Sequence, residues 1–310
     1  MEKVVEVQAL TKDFKEVIAV DDLSFSVKRG EVHGFLGQNG AGKSTTLRML
    51  LTLIHPSSGT IKIFGKNLSA HRIEILRQVG AVIEKPDLYK YLTAEQNLSI
   101  LARLSGIQFS KEKLVKKLEM VGLAERKNSR IKTFSQGMKQ RLGIACALIH
   151  DPQLVILDEP TNGLDPQGIA DIRNLILHLS KNEGKTVLVS SHLLSEIELV
   201  ADSMLIIDKG KKVAEGTVDE LLNPAHTLVQ IETTDNKNTL RILQESQWRK
   251  FILNNSDGIV LEMHKKNIPE LNRFMVQSGI DVMNLDARHS LENYFLSLTS
   301  QNRHVDTYQH

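Results

Sequence analysis

Three rhythms of apolar residues run along this 310-residue chain. The first is the short unbroken run. Leu154 to Leu157 and Val187 to Val189 read as buried strands, and a further run passes through Phe35 and Leu36 into a glycine-rich turn and a helix. The second rhythm is helical. Ile144 to Ile149 form an apolar helical stretch, and a helical insertion is predicted from about Leu92 to Lys127, inside a helical subdomain spanning about 86–150. Strands and helices alternate over residues 1–222, which predicts an α/β domain.

The third rhythm has period two and begins after a break at Leu222 to Thr227. Val229 and Ile231 alternate with polar residues, as do Ile259, Leu261 and Met263, so each segment reads as a half-buried strand. Ile268, Leu271, Met275 and Val276 share one helical face that ends at Gly279. Leu291, Tyr294, Phe295 and Leu298 form another after a possible N-cap, Ser290. Residues 227–300 therefore predict a small C-terminal α+β accessory domain, with a polar tail over 301–310.

Charge narrows the function classes. Thirty-nine basic residues face 37 acidic ones, a net charge of +2, with no concentrated basic face of the kind a nucleic-acid reader shows. Lys209, Lys211 and Lys212 around Gly210 read as a solvated hairpin turn. The single Cys146 excludes an internal disulfide and, inside its apolar helix, reads as packing. Glu2 and Glu6 among valines give no basic leader, and no window approaches the ~20 apolar residues of a spanning helix. Any membrane role has to come from a partner.

Candidate chemistry starts at Phe35 to Ser44. In Gly37-Gln38-Asn39-Gly40-Ala41-Gly42-Lys43-Ser44-Thr45, the glycines let successive N–H groups converge on phosphate oxygens. Lys43 adds a positive point for the β and γ phosphates, Ser44 a hydroxyl for Mg²⁺, and the helix its positive dipole end. The bland alternative is a glycine turn joining any strand to any helix. A second segment weighs against it: the run from Leu154 ends abruptly in Asp158 and Glu159. Pleat alternation would send Asp158 to the metal and Glu159 to a water beside the γ-phosphate.

A third segment, Phe134-Ser135-Gln136-Gly137-Met138-Lys139-Gln140-Arg141-Leu142, resembles the signature of the ATP-binding cassette (ABC) ATPases. The usual Leu-Ser-Gly-Gly-Gln keeps its Ser and second Gly here, as Ser135 and Gly137, and departs at the other three positions. The resemblance implies a P-loop ABC core in which Ser135, Gln136 and Gly137 cap ATP held by the opposite subunit of a homodimer. Alone, Ser135 is a helix N-cap, a role compatible with the other.

Further landmarks follow in order. Asn162-Gly163-Leu164-Asp165 resembles the loop whose Asp contacts the opposite subunit, and otherwise reads as a turn. His192 closes Val187 to Ser191 where the family places its γ-phosphate sensor. Phe14 stands where an aromatic stacks on adenine; its alternative is a core or edge-strand aromatic. Glu84, after Val79 to Ile83, replaces the family's usual Gln, and a carboxylate there is expected to touch Mg²⁺; its alternative is a solvent-facing loop Glu. Ile83-Glu84, Pro86, Leu88-Tyr89 and Leu92 to Leu98 look like the subgroup serving bacitracin-type and lantibiotic-type peptide resistance exporters.

The resemblance implies an ATPase subunit at the cytoplasmic face of the membrane. It would dimerise around two ATP and Mg²⁺, with Glu159, His192 and Lys43 catalytic, and drive a separate membrane permease. No nucleic-acid partner is expected. A soluble regulatory or DNA-repair ATPase of the same superfamily is the alternative, but such proteins carry long coiled coils or a duplicated cassette, and neither pattern is visible.

Overall fold

The computed structural model describes residues 2–222, 227–253 and 258–289. The chain divides into two compact units, Met1–Val218 and Asp219–His310.

The first unit opens with three consecutive strands, β1 (Lys3–Asp13), β2 (Ile18–Lys28) and β3 (Val32–Leu36), followed by α1 (Lys43–Leu50). Next come β4 (Ser58–Ile63), β5 (Lys66–Asn67), α2 (Arg72–Leu76) and β6 (Val79–Val82). A helical stretch holds α3 (Ala94–Leu104), α4 (Lys111–Met120) and α5 (Gln136–Ala147). The chain then alternates through β7 (Leu154–Leu157), α6 (Pro166–Lys181), β8 (Thr186–Ser191), α7 (Leu194–Glu198), β9 (Ser203–Asp208) and β10 (Lys211–Thr217). A short α8 (Val218–Leu221) straddles the division between the units.

Two sheets result. One is antiparallel, in the order β2-β1-β4-β5, and is an addition to the simple alternation expected of the first domain. The other has the order β10-β9-β3-β8-β7-β6 and is parallel except for the edge strand β10. Strands β3, β7 and β8 are buried at every position, which is why their apolar residues cluster, as in Leu154 to Leu157 and Val187 to Val189, rather than alternate with exposed polar ones. Leu47, Met49 and Leu50 of α1 share a core with Val5 and Phe25 of the antiparallel sheet and with Phe35, Ile156 and Leu188 of the parallel one.

The helical stretch is organised by local polar contacts. Thr93 and Gln96 form a reciprocal capping box at the start of α3. Buried Asn97 accepts the Tyr89 N–H and donates to the Tyr89 and Thr93 carbonyls, fixing the segment that leads in from β6. Pro86 of that segment packs where a Cβ on Gly143 of α5 would stand.

The second unit runs β11 (Thr227–Thr233), α9 (Asn236–Gln244), β12 (Ile252–Leu253), β13 (Ile259–Met263), α10 (Ile268–Gln277) and β14 (Val282–His289). Its antiparallel order β12-β13-β11-β14 is the ferredoxin-like split arrangement. Val229, Ile231, Leu261, Leu271 and Met275 meet Leu243 and the chain's one tryptophan, Trp248, in a core of their own. One expectation needs correcting. Val276 does not belong to the apolar face of α10: it is 63% exposed, and Phe274 packs partly against the core instead. The helix expected from Leu291 to Leu298, its cap Ser290 and the 301–310 tail lie outside the described residues.

Candidate active site

In a parallel sheet the loops that follow the strands gather at one edge, and the candidate chemistry lies there. From β3 the chain enters the glycine-rich loop, from β7 it reaches Asp158 and Glu159, from β8 it reaches His192, and from β6 it reaches Glu84. β3, β8, β7 and β6 are successive neighbours, so four segments far apart in sequence meet. Ser44, Glu84, Lys85, Gln136, Gln140, Asp158, Glu159, Asn162 and Gly163 line a cleft of about 390 Å³.

The glycine-rich loop is shaped by its surroundings. Gly42 has φ 102°, and a Cβ there would stand 2.4 Å from the Ala19 carbonyl of β2. A Cβ on Gly37 would stand 2.6 Å from the Ile207 carbonyl of β9. The Lys209-Gly210 turn does more than face solvent: Gly210 is buried and donates its N–H to the Ala41 carbonyl of the loop at 3.0 Å. α1 begins at Lys43 with Gly42 as N-cap and no side-chain cap, so no side-chain oxygen takes its first N–H groups.

Lys43 is buried, and its ammonium is held by the Gly37 carbonyl at 2.6 Å, the Gln38 carbonyl at 3.2 Å and Glu159 Oε1 at 3.1 Å. The other carboxylate oxygen, Oε2, accepts from His192 Nδ1 at 2.7 Å. One carboxylate thus bridges the lysine of the loop after β3 and the histidine after β8.

Asp158 and Glu159 diverge, but not through pleat alternation. β7 ends at Leu157, and Glu159 turns through left-handed backbone, φ 47°. A residue that sequence reading did not single out secures the turn. Ser190 Oγ donates to Asp158 Oδ1 at 2.6 Å and accepts the Glu159 N–H at 2.8 Å. Two adjacent serines before the histidine were visible in the sequence; only the strand pleat shows which faces the acids.

Asp158 Oδ2 is buried without a hydrogen-bond partner. An orphaned carboxylate oxygen in a cleft that also holds the Ser44 hydroxyl fits a hard divalent cation with oxygen ligands. Glu84 lines the same cleft, yet its side chain is 63% exposed and its carboxylate is ion-paired with Arg48 of α1.

The remaining candidates are distributed around this centre. Ser135 caps α5, its Oγ accepting the Met138 N–H at 3.2 Å, and Gln136 lines the cleft whereas Ser135 and Gly137 do not. Asp165 caps α6, Oδ1 accepting the Gly168 N–H at 3.0 Å, with Pro166 as the first helical residue. Phe14 is 50% exposed beyond the end of β1, with Lys12 Nζ 4.8 Å from its ring centre. It is no core aromatic. Cys146 is buried, and burial pushes its thiol pKa up to about 12.

Comparison with known proteins gives this geometry a family. The ABC transporter family model matches residues 20–162. The bacitracin transport ATP-binding protein BcrA of Bacillus licheniformis is 42% identical over 300 residues, covering 96% of this chain and 98% of that protein. The lantibiotic transport ATP-binding protein SrtF of Streptococcus pyogenes is 41% identical over 214 residues, 69% of this chain and 91% of that one. Among solved structures, an ATP-binding subunit of an ABC transporter aligns with TM-score 0.63 at 35% identity, covering 70% of this chain and 91% of its own. A dimeric ATP-binding cassette in a post-hydrolysis state, bound to ADP and phosphate, aligns with TM-score 0.62 at 26% identity over 69% of this chain and 98% of that chain. Among the described residues no helix is long and apolar enough to cross a membrane. Likeness at this identity, running almost end to end, is kinship, and the chain belongs to the ABC transporter family as an ATP-binding and ATP-hydrolysing subunit.

Proposed function

We propose that two copies of this chain close around two ATP molecules with Mg²⁺ and drive a separate membrane permease that exports, or confers resistance to, a peptide antibiotic of the bacitracin class. The observation that carries the ATPase part is the convergence of Lys43, Asp158, Glu159 and His192 at one edge of the parallel sheet. The cargo class rests on the transport proteins named above, of which BcrA covers 96% of this chain and SrtF 69%. The domain assignment is that residues 1–222 do the nucleotide chemistry and 227–300 form an accessory domain.

In this reading the loop Gly37 to Thr45 cradles the phosphates and Lys43 neutralises their charge. Ser44 and Asp158 would hold Mg²⁺, which supplies charge neutralisation at the phosphates. Glu159 takes a proton from the attacking water, and His192, already bonded to Glu159, orients that carboxylate and faces the developing phosphoryl charge. Phe14 offers an exposed ring face for the base. Ser135 and Gly137 of the second copy complete the site, and its Asp165 approaches across the same interface. The dimer turns closure and reopening into motion of the permease at the cytoplasmic face.

Mixing two inactive variants tests the sandwich. Ser135→Arg and Lys43→Ala, each abolishing turnover alone, should together restore one of the two composite sites, because one interface carries both lesions and the other neither. No recovery in a mixture shown to dimerise would overturn it. For the cargo, co-purification with a permease from detergent-solubilised membranes and bacitracin resistance in cells are the readouts; sensitivity unchanged by deletion of the chain would remove that class.

A further inference from the structure

Glu196, on α7, is not among the residues that line the nucleotide cleft, yet it ties together the two segments that carry the reacting pair. Its Oε2 accepts two hydroxyl hydrogen bonds, from Thr161 Oγ1 at 2.7 Å and from Ser191 Oγ at 2.7 Å. Thr161 follows Glu159 by two residues and begins the turn that ends at Asp165, where Leu164 N–H returns to the Thr161 carbonyl. Ser191 is the last residue of β8 and immediately precedes His192. The Ser191 hydroxyl also accepts the Leu193 N–H at 3.0 Å, so the His192 turn is folded around that group.

The two serines at the end of β8 therefore divide the work by pleat. Ser190 grips Asp158 and Glu159 on one face. On the other, Ser191 is held by Glu196, which holds Thr161 with the same oxygen. A carboxylate accepts such bonds about twice as strongly as a neutral group. A small cavity of about 20 Å³ beside Glu196, lined in part by Arg173 and Val200, has room for a single water.

We propose that Glu196 is a positioning residue for hydrolysis: its shared oxygen makes the Thr161–Asp165 turn and the His192 turn move as one body, keeping His192 on Glu159 while the Asp165 turn answers to the partner copy. This rests on the ATPase reading of the site. Glu196 lies outside the lining of the cleft, so its loss is expected to act on turnover rather than on binding.

The test compares Glu196→Leu, Glu196→Gln, Thr161→Val and Ser191→Ala in the full chain. Readouts are kcat and KM for MgATP and nucleotide affinity by calorimetry. Glu196→Leu is expected to lower kcat by roughly ten- to a hundredfold, the order expected of a sub-ångström to ångström displacement, with affinity within about twofold. Glu196→Gln keeps a carbonyl that can accept both hydroxyls and should recover most of the rate. Thr161→Val and Ser191→Ala should each be partial, and Thr161→Val should add nothing to the Leu variant's loss, whereas Ser191→Ala also removes the acceptor of the Leu193 N–H. Should Glu196→Leu fail to fold, the Gln variant and the Thr161→Val/Ser191→Ala pair carry the same comparison. A Leu variant as fast as wild type, a Gln variant as slow as Leu, or strictly additive Thr161 and Ser191 effects would each overturn the proposal. Absence of turnover in the wild type would instead sink the ATPase reading.

Discussion

Lys43 and Glu159 hold one another across the site, ammonium to carboxylate at 3.1 Å, with Lys43 buried and Glu159 nearly so. The contact makes the lysine of the phosphate loop and the acid of the next-but-one strand mutual competitors. Phosphate oxygens that take up Lys43 must draw it from Glu159, and Glu159 must be free of it to act on water.

Glu159→Gln should therefore do two things. Hydrolysis should slow by roughly 10²- to 10⁴-fold, the usual worth of a general base. ATP affinity should rise, because a neutral amide competes less for the ammonium and no longer repels the γ-phosphate. Single-turnover hydrolysis and nucleotide titration measure the two effects separately; turnover near the wild-type rate would remove Glu159 from the base role.

Ser190→Ala should leave the fold intact and loosen both acids at once. It strips Asp158 of a donor and the Glu159 N–H of its acceptor, at a cost of about 1–3 kcal/mol for each buried group left unpaired. We expect lower kcat together with a higher Mg²⁺ requirement, read from ATPase rates across a Mg²⁺ series and from chemical denaturation. Unchanged Mg²⁺ dependence would show that Asp158 is oriented without the hydroxyl.

For Glu84, the Arg48 pair is solvent-exposed, and pairs of that kind contribute at most about 1 kcal/mol. A carboxylate held that loosely can leave for the cleft it already lines. Glu84→Gln should keep substantial basal hydrolysis but alter its Mg²⁺ dependence, and Arg48→Ala should shift the same curve the opposite way. Superimposable curves for all three forms would leave Glu84 with no part in the metal site.

His33 sets a pH limit on stability. It is buried between Phe25, stacked at 6.2 Å, and Ser203, hydrogen-bonded at 2.8 Å, and its Nε2 has no partner. Burial, with a smaller contribution from Lys28 and partly offset by Glu215, lowers its pKa from 6.5 to about 4. Below pH 6.5 the unfolded chain takes up a proton that the folded chain refuses until about pH 4. Stability is thus full above about 6.5 and falls as pH drops towards 4, by roughly 3 kcal/mol over that window. Urea unfolding at several pH values should show this slope, and His33→Gln should flatten it even if it lowers stability throughout.

Trp248, the single tryptophan, lies in the core of the C-terminal unit and so reports on that unit alone. Trp248→Ala should cost about 3–5 kcal/mol there while MgATP binding by the first unit persists. In the wild type, tryptophan fluorescence should follow one unfolding transition and MgATP should shift a different one, seen by far-UV circular dichroism. A single coincident, ATP-sensitive transition would mean the units unfold together.

The sequence made Asp158 and Glu159 legible because they stand where the apolar run Leu154 to Leu157 stops, at the end of a buried strand, Lys43 because it closes the glycine-rich turn after Leu36, and His192 because it closes the strand Val187 to Ser191 at the place the family resemblance marks. What stayed hidden depends on direction and distance. Ser190 and Ser191 are neighbours in sequence with opposite duties, and the pleat alone separates them. Arg48 and Glu84 are both exposed and lie on different elements, so no periodicity links them. Gly210 looks like any hairpin glycine until β9 is laid beside β3, which brings it under the phosphate loop. His33 sits in an apolar run, and sequence alone gives it no more weight than the other histidines.

The strand that feeds the phosphate loop, β3, has both of its neighbours downstream, β8 on one side and β9 on the other. During synthesis β3 leaves the ribosome with neither edge paired, and about 150 further residues, from Leu36 to Thr186, must follow before β8 begins. At 5–20 residues per second that is a wait of roughly 8–30 s, during which an apolar strand with two open edges is exposed to other chains. Nascent chains arrested before Thr186 should consequently depend on chaperones and bind no nucleotide, so the order of synthesis leaves this strand open to aggregation from Leu36 until Thr186 has emerged.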